Sequence, residues 1–415
     1  MNVRRSSKRR VLVVTGSRAE FGLLRPVMLA IAKNQKLALR VCVAGEHLLA
    51  PAMTWREVAQ EFRIDAKVPM QRARDRGRLD HAGACGRGMV GFAAAYKRIK
   101  PDWVVVLGDR IEAFAAASAA SIAGIAVCHI HGGDRAEGIA DEAMRHAITK
   151  LSHLHCAATK KSAERILKMG EPKERVFVTG SPAIDGLSKI KAMGDREAAA
   201  FGDPRAVVLL HPLGLSEKHE VFLADRILGE LGWCGAYTSV VLAPNSDPGS
   251  AAIKAEFEHR RVVYAGRCIP ANLSASGRPT PHFVFVEHLP REKFVALLKR
   301  LAVPRRLGEV AQRGLLIGNS SAGLIEAAAL GLPTVNIGER QAGRERGDNV
   351  IDVAFRPTDM WATGALESAI IHAQSFMSPS RMHPYGDGCA GRRIAGLLAR
   401  IDPGARAFVR KRIAY

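Results

Sequence analysis

The residues best suited to acid–base chemistry are concentrated in one stretch of the chain. This stretch contains His129, His131, Asp134, Asp141, Glu142, Arg145 and His146. Imidazoles and carboxylates that lie close together shift one another's pKa values, as proton-transfer catalysis requires. The spacing of His131 and Asp134 would also suit a metal ion, which is the main alternative. We favour proton transfer and expect no metal.

Another candidate acid follows the apolar run WVVVL, which predicts a strand buried in a parallel sheet. Asp109 and Arg110 come shortly after this run. An acid and an arginine at the carboxyl end of a parallel strand suit catalysis or ligand binding. Capping of the following helix by Asp109 is the alternative interpretation.

Two turns that contain glycine and serine are candidates for phosphate binding. The motif TGSR ends at Arg18 after the first predicted strand, and the motif GNSSAG follows a later strand. Each precedes a predicted helix, whose free N–H groups favour an anion. Ser320 and Ser321 add hydroxyl groups to the later turn, and Glu326 follows where a carboxylate can accept hydrogen bonds from ribose hydroxyls. An ordinary strand-to-helix turn remains the alternative for TGSR.

Strand-like and helix-like segments alternate along the chain in two series, which predicts an α/β protein with two Rossmann-like, doubly wound domains. We place the N-terminal domain at 1–190 and the C-terminal domain at 191–415, and leave open that the last helix packs on the first domain. His211 and Asn245 follow strands of the second series. Thr334–Ile337 is the last strand that the pattern predicts, and 260–281 is predicted mainly as loop.

Composition limits the class of protein. The 415 residues are 47% hydrophobic and 24% charged, as in a globular protein, and none of the apolar runs could span a membrane. The seven cysteines form no C-x-x-C pair, and the start of the chain does not read as a signal peptide, so we expect a cytoplasmic protein. The net charge of +21 suits an anionic substrate. With 6% aromatic residues and no nucleic-acid-binding module, we expect no nucleic acid and no membrane as partners.

Seven motifs together resemble the UDP-N-acetylglucosamine 2-epimerase family, hydrolysing branch (the type that serves sialic and legionaminic acid synthesis). They are TGSRAEFGLLRP, GDRIEAFAAA, HIHGGDRAEGIADEAMRHAITKLSHLH, NSDPGS, EHLPREKF, GNSSAGLIEAAALGLPTVNIGERQAGR and HPYGDG. They occur in the family's order from Thr15 to Gly388. The resemblance implies the GT-B fold, with the active site in the cleft between the two domains, and no cofactor.

The resemblance also implies a reaction. A base removes the proton on C2 of the sugar, UDP leaves by elimination, and water adds to the resulting glycal to give N-acetylmannosamine. The residues that match the family's catalytic acids are Asp109, Asp134, Asp141 and Glu142. We expect Asp109 and Asp134 to transfer protons, and leave open which member of the pair Asp141–Glu142 faces the sugar. Position 134 departs from the family pattern, which usually has Glu there.

The substrate contacts that the resemblance implies lie in both domains. They are Arg18, His47, Arg110, His131, Arg145, His211, Asn245, Ser320, Ser321, Glu326 and Arg340. Arg18 and Arg110 are expected to meet the phosphates and sugar, His47 to line the sugar pocket, and backbone near His288 to meet uracil. The segment 303–312 looks like an insertion relative to the family.

Several alternatives stay open. Within the family, the substrate could be a UDP- or GDP-linked 2,4-diacetamido sugar, or the protein could be a non-hydrolysing epimerase. The sequence HIHGG, where non-hydrolysing members carry H-x-E-A-G, favours hydrolysis. Outside the family, a glycosyltransferase of the same fold or a non-catalytic protein that binds sugar nucleotides or nucleic acid are the alternatives. We expect a homo-oligomer, a dimer or tetramer, by analogy with the family.

Overall fold

The computed structural model describes residues 8–50, 52–75, 77–136, 141–234, 238–245, 247, 249–265, 282–307, 310–355, 364–375, 382–412 and 414. The chain forms two compact units. The first comprises the described residues of Met1–Arg135, Ala140–Gly186 and Pro384–Tyr415, and the second those of Ala136–Ile139 and Leu187–His383. The segment from residue 384 on, grouped with the second domain in the sequence analysis, therefore belongs to the first unit.

The strands are β1 Arg9–Thr15, β2 Leu37–Ala44, β3 Ala66–Val68, β4 Trp103–Leu107, β5 Ala126–Ile130, β6 Leu154–Ala157, β7 Val176–Val178, β8 Ala206–Leu209, β9 Thr238–Leu242, β10 His282–Val286, β11 Arg305–Leu307, β12 Val310–Gln312, β13 Leu315–Gly318, β14 Thr334–Ile337 and β15 Val350–Val353. The helices are α1 Arg18–Lys33, α2 Trp55–Glu61, α3 Arg78–Ile99, α4 Ile111–Ile122, α5 Asp141–Leu151, α6 Lys160–Lys168, α7 Asp195–Ala199, α8 Glu217–Trp233, α9 Ser250–Ala265, α10 Arg291–Ala302, α11 Ser321–Leu324, α12 Glu326–Leu330, α13 Ala365–Ser375, α14 Ala390–Arg400 and α15 Arg406–Val409.

Each unit is built on one parallel sheet. The order in the first unit is β3-β2-β1-β4-β5-β6-β7, and in the second it is β10-β9-β8-β13-β14-β15. In both sheets the order reverses beside the first strand of the series, which is where ligands bind in open parallel sheets. The two predicted Rossmann-like, doubly wound domains are thus confirmed.

The strands at the centre of the first sheet are apolar because helices cover both faces. Every residue of β4 and β5 is buried. The helix α4 is rich in alanine and also almost fully buried, so it lies close to the sheet. Among the described residues, we find no helix with the length and apolarity needed to cross a bilayer.

The structure corrects several details of the sequence analysis. A strand beyond Thr334–Ile337 exists, since β15 pairs with β14. The helix α9 continues into the segment predicted as loop and ends at Ala265, and residues 266–281 lie outside the described part. The segment 303–312 contains the short antiparallel pair β11 and β12. The strand β15 has only four residues and β11 only three, so their patterns were too short to predict them.

The turn between β1 and α1 is filled by two buried carboxyl groups. The Gly16 N–H donates to Glu20 Oε2 at 2.5 Å, and a Cβ at Gly16 would lie 2.6 Å from Glu112 Cγ. Glu20 is 5% exposed and Glu112 is fully buried. Burial, opposed by the Gly16 hydrogen bond and reinforced by the nearby Glu112, raises the pKa of Glu20 to about 8. Glu20 is therefore mostly protonated at neutral pH.

We expect Glu20→Gln to stabilise the protein in a pH-dependent way. The folded-state pKa of Glu20 exceeds its ordinary value of 4.5. The contribution of Glu20 to the free energy of unfolding is therefore complete below pH 4.5 and is lost as the pH rises through about 8. Glutamine keeps the acceptor for Gly16 without ionising, so the gain should be absent at pH 4.5 and reach at most about 5 kcal/mol above pH 8. Thermal unfolding at both pH values measures it. An equal gain at both would contradict this explanation.

Two glycines of α14 provide a matched test of how this helix packs. A Cβ at Gly391 would lie 2.8 Å from the Pro26 carbonyl oxygen of α1, whereas a Cβ at Gly396 would meet no atom of the described structure within 4 Å apart from its chain neighbours and the backbone of its own helix. Gly391→Ala should therefore destabilise the first unit by about 1–3 kcal/mol. Gly396→Ala should stabilise it by up to about 1 kcal/mol. Calorimetry measures both, and equal effects would contradict the close approach of α14 to α1.

Candidate active site

The carboxyl ends of β4 and β5 are joined through Arg145, a residue of α5. Its Nη2 forms an ion pair with Asp109 Oδ2, and its Nη1 donates to the backbone oxygen of Asp134 at 2.8 Å. The Arg145 side chain is 4% exposed and that of Asp109 is 18% exposed. The structure thus brings together three residues that the sequence analysis singled out, and it leaves Asp109 partly accessible to a ligand.

The carboxylate of Asp134 lies inside the protein rather than at its surface. Asp134 Oδ2 lies 2.8 Å from His131 Nδ1, and Ser162 Oγ donates to Asp134 Oδ1 at 2.8 Å. His131 Nε2 lies 2.9 Å from Ser181 Oγ. Since Asp134 is only 2% exposed, its carboxylate orients the His131 ring, and any proton that it transfers must pass through this network.

The backbone at His131 adopts a left-handed conformation with a φ of 64°. A residue with a branched or bulky side chain rarely occupies this region, and such strain concentrates at functional sites. Both ring nitrogens of His131 are held by hydrogen-bond partners, so the surrounding structure fixes the strained conformation. The loop after β5 is consequently a preorganised element.

His129 braces β5 against β4 instead of taking part in proton transfer. Its Nε2 lies 2.7 Å from the Gly108 carbonyl oxygen, and Thr149 Oγ1 lies 3.2 Å from its Nδ1. Burial, partly opposed by the Gly108 hydrogen bond, lowers the pKa of His129 to about 3. The ring is therefore neutral and donates from Nε2, because a carbonyl only accepts.

The remaining two candidate acids begin α5. Asp141 is the first residue of this helix, and its side chain lies outside the described residues. Glu142 Oε1 lies 3.4 Å from His146 Nε2. The amino end of α5 therefore carries the predicted acid pair, one turn before Arg145.

The two arginines predicted to meet phosphate are each paired with a carboxylate. Arg18 Nη2 lies 2.5 Å from Glu57 Oε1, and Arg110 Nη2 lies 2.7 Å from Glu46 Oε1. Both side chains are about a quarter exposed, at 27% and 25%. A phosphate group that binds either arginine would have to displace the paired carboxylate or share the guanidinium with it.

His47, expected in the sugar pocket, is fully buried. Its Nε2 lies 3.0 Å from Thr15 Oγ1 and its Nδ1 lies 2.7 Å from Thr54 Oγ1. Burial and nearby arginines lower its pKa to about 3, so the ring is neutral. In this structure His47 positions the loop after β2 and presents no surface to a ligand.

In the second unit, Asn319 holds the loop after β8 to the loop after β13. Its Oδ1 accepts from the His211 N–H at 2.8 Å, and its Nδ2 donates to the His211 carbonyl oxygen at 2.7 Å. The Asn245 N–H donates to His211 Nδ1 at 3.2 Å. Burial, with the Arg340 charge close by, lowers the pKa of His211 to about 3. The predicted residues His211 and Asn245 are thus adjacent.

The GNSSAG turn opens a helix as predicted. Ser320 Oγ accepts from the Ala322 N–H at 3.4 Å at the start of α11, and Ser321 is the first residue of that helix. Glu326 begins α12, and its Oε1 lies 3.0 Å from Arg291 Nη1. Ser320 and Ser321 are half-buried, so their hydroxyl groups can reach a ligand.

Arg340 lies beside this turn and near Asn245. Its Nη2 pairs with Asp247 Oδ2 at 2.8 Å, and its Nη1 donates to the Pro212 carbonyl oxygen at 2.9 Å. Asn245 Nδ2 also donates to Asp247, at 2.5 Å. Three of the predicted nucleotide-binding residues, His211, Asn245 and Arg340, are therefore joined with Asp247 in one hydrogen-bonded group at the carboxyl end of the sheet, and Glu326 pairs separately with Arg291.

Sequence reasoning missed several residues that complete the two sites. They are Glu20, Glu112, Ser162, Ser181, Arg291 and Asn319. Arg291 and Asn319 stand in the motifs EHLPREKF and GNSSAG, so the motifs marked their neighbourhood without assigning a role. Ser162 and Ser181 lie in segments without a chemical signature. The described residues contain no group of three His, Cys, Asp or Glu side chains placed to hold a metal ion.

Comparisons with known proteins agree with this arrangement. The profile of the UDP-N-acetylglucosamine 2-epimerase family matches residues 29–399. The UDP-N,N'-diacetylbacillosamine 2-epimerase (hydrolysing) of Legionella pneumophila is 33% identical over 95% of this chain and 96% of its own length. The GDP/UDP-N,N'-diacetylbacillosamine 2-epimerase (hydrolysing) of Campylobacter jejuni is 28% identical over 85% and 86%.

A solved structure supports the fold class. The UDP-GlcNAc 2-epimerase of Neisseria meningitidis bound to UDP-GlcNAc aligns with a TM-score of 0.71 at 20% identity, covering 94% of this chain and all of the other. The predicted GT-B-type architecture of two Rossmann-like units is confirmed. On the family match and on its similarity to hydrolysing relatives, the chain belongs to the UDP-N-acetylglucosamine 2-epimerase family, in its hydrolysing branch.

Proposed function

We propose that this protein hydrolyses a UDP-linked 2-acetamido sugar with inversion at C2, releasing UDP and the free epimerised sugar. The observation that carries the proposal is the network of Asp109, Arg145, Asp134 and His131 at the carboxyl ends of β4 and β5. It joins a partly accessible acid to a second acid and a strained histidine. Removal of a proton from a carbon and return of a proton to the same carbon need a base and an acid at one site.

The first unit supplies the proton transfers. Asp109 is more accessible than Asp134, so we assign Asp109 to the proton on C2. As the C2–H bond breaks, a C1–C2 double bond forms, and the C1–O bond breaks to release UDP. Water then adds across the glycal, with its hydroxyl group on C1 and a proton on the opposite face of C2. We assign the second transfer to the His131–Asp134 pair or the acids at the start of α5.

The second unit supplies nucleotide binding. Ser320, Ser321 and the amides that open α11 suit phosphate, and Glu326 suits the ribose hydroxyls. We assign Arg340 to the diphosphate, whose negative charge increases as the C1–O bond breaks, so that the guanidinium stabilises the leaving group. The pairing of Arg340 with Asp247 and of Glu326 with Arg291 fixes these side chains before the nucleotide arrives.

For the sugar, we propose N,N'-diacetylbacillosamine, with N-acetylglucosamine as the second candidate. The Legionella pneumophila relative, which matches nearly the full chain, is named for the UDP-linked diacetamido sugar. The Neisseria meningitidis structure holds UDP-GlcNAc but supports only the fold at its lower identity. A site that hydrogen-bonds a second acetamido group rejects a sugar without one, because its polar groups are then left unpaired. The expected homo-oligomer and the expected lack of nucleic-acid binding stay predictions.

Turnover in deuterated water tests the reaction and the sugar. We expect UDP-N,N'-diacetylbacillosamine to yield UDP and a free sugar that carries deuterium at C2 in the proton NMR spectrum. UDP-N-acetylglucosamine should give the corresponding products with a kcat/KM at least about tenfold lower. An epimerised sugar still linked to UDP would contradict hydrolysis. Absence of turnover with both substrates and their GDP analogues would refute the proposed function.

Substitutions in the network test the assigned roles. Asp109→Asn should lower kcat by about 10²–10⁴-fold, because the base is lost. Arg145→Lys keeps the charge but cannot bridge two loops as a guanidinium does, and should lower kcat by a smaller factor. Asp195→Asn, at a position whose side chain is 97% exposed, is the control and should change nothing. Near-normal turnover by Asp109→Asn would remove Asp109 from catalysis.

A further inference from the structure

The last residues of the chain pack at the amino ends of the first unit's strands. The ring of Phe408, in α15, meets the ring of Trp103 edge-on with centroids 5.5 Å apart. The guanidinium of Arg175 lies 4.7 Å from the Phe408 ring centroid. The Ala414 N–H donates to the Gly170 carbonyl oxygen at 2.9 Å. Residues 405–412 and 414, which we call the C-terminal strap, are therefore anchored at several points.

Lys411 of the C-terminal strap caps the carboxyl end of α5. Its Nζ donates to the backbone oxygens of Thr149 at 3.1 Å, Lys150 at 2.5 Å and Ser152 at 2.7 Å. These carbonyls lie at the end of the helix, where no following turn supplies N–H groups, and the Thr149 oxygen also accepts from the Ser152 N–H at 3.2 Å. A cation there is also favoured by the helix dipole. Lys411 thus satisfies three helix-end acceptors at once.

A buried carboxylate holds Lys411 in this place. Glu171 Oε2 lies 2.8 Å from Lys411 Nζ and 3.1 Å from His155 Nε2, and Glu171 Oε1 lies 2.7 Å from Lys150 Nζ. Burial alone would raise the pKa of Glu171, but the hydrogen bond with His155 and the adjacent ammonium groups of Lys150 and Lys411 lower it to about 2. The Lys411 side chain is 17% exposed. A charged, mostly buried pair with these contacts is costly to break.

We propose that Lys411 is a positioning residue for the epimerisation, which holds the carboxyl end of α5 so that the acids at its amino end and Arg145 keep their places. This inference rests on the proposed function. The helix has 11 residues, or about 16 Å, and it transmits a tilt at one end to the other. A misplacement of about 1 Å at reacting groups can lower a rate about 100-fold.

The test compares Lys411→Met with Arg410→Met. Both remove one positive charge from the C-terminal strap, but Arg410 is exposed. We expect Lys411→Met to lower kcat about tenfold or more with KM within about twofold, and to accelerate hydrogen exchange of the α5 amides. Arg410→Met should match the wild type in all three. Lys411→Arg, which keeps the cation, should recover most of kcat.

The outcomes separate this inference from the proposed function. An inactive wild-type protein would refute the function, while exchange of the α5 amides would still show whether Lys411 fixes the helix. Normal kcat and normal exchange in Lys411→Met would overturn the inference, and so would an equal loss in Arg410→Met. Should Lys411→Met not fold, the comparison is made between Lys411→Gln and Arg410→Gln, which both remove the charge but keep a polar side chain, and equal kcat and exchange in that pair would also overturn it.

Discussion

The guanidinium of Arg145 is the group on which the arrangement of the first unit's acids depends. It is 4% exposed, and a buried positive charge is tolerated only when it is paired and hydrogen-bonded. Its partners include the carboxylate of Asp109 and the backbone of Asp134. Breaking a buried ion pair by removing one member costs about 3–5 kcal/mol. The loops after β4 and β5 are therefore bound to α5 and cannot move independently.

This constraint explains other features of the unit. Because α5 must hold Arg145 in one place, contacts fix its carboxyl-terminal part: Lys411 binds the carbonyls at the helix end, and Thr149 of α5 contacts His129 of β5. The strained His131 is tolerated for the same reason, since Asp134 and Ser181 fix its ring. Stability and site geometry depend on the same contacts.

The second unit solves a similar problem with a neutral side chain. Asn319 is fully buried and satisfies both backbone groups of His211, so the two loops flanking the sheet's switch point stay together. The surrounding charges occur as pairs, Arg340 with Asp247 and Arg291 with Glu326. A neutral side chain in this position suits a site that binds an anion, because Asn319 holds the loops together without adding a negative charge.

The two parallel sheets, the strand ends that carry chemistry and the family could all be predicted from the sequence, because apolar strands and the motifs that follow them are local patterns. The sequence also predicted Asp109, Asp134 and Arg145 as site residues, and these lie together. Three other features were visible only in the folded chain: Asp134 faces His131 and Ser162, His47 is buried, and the described residues from 384 on belong to the first unit. Those outcomes depend on contacts between residues far apart in the chain, such as Lys411 with α5, and local spacing carries no information about them.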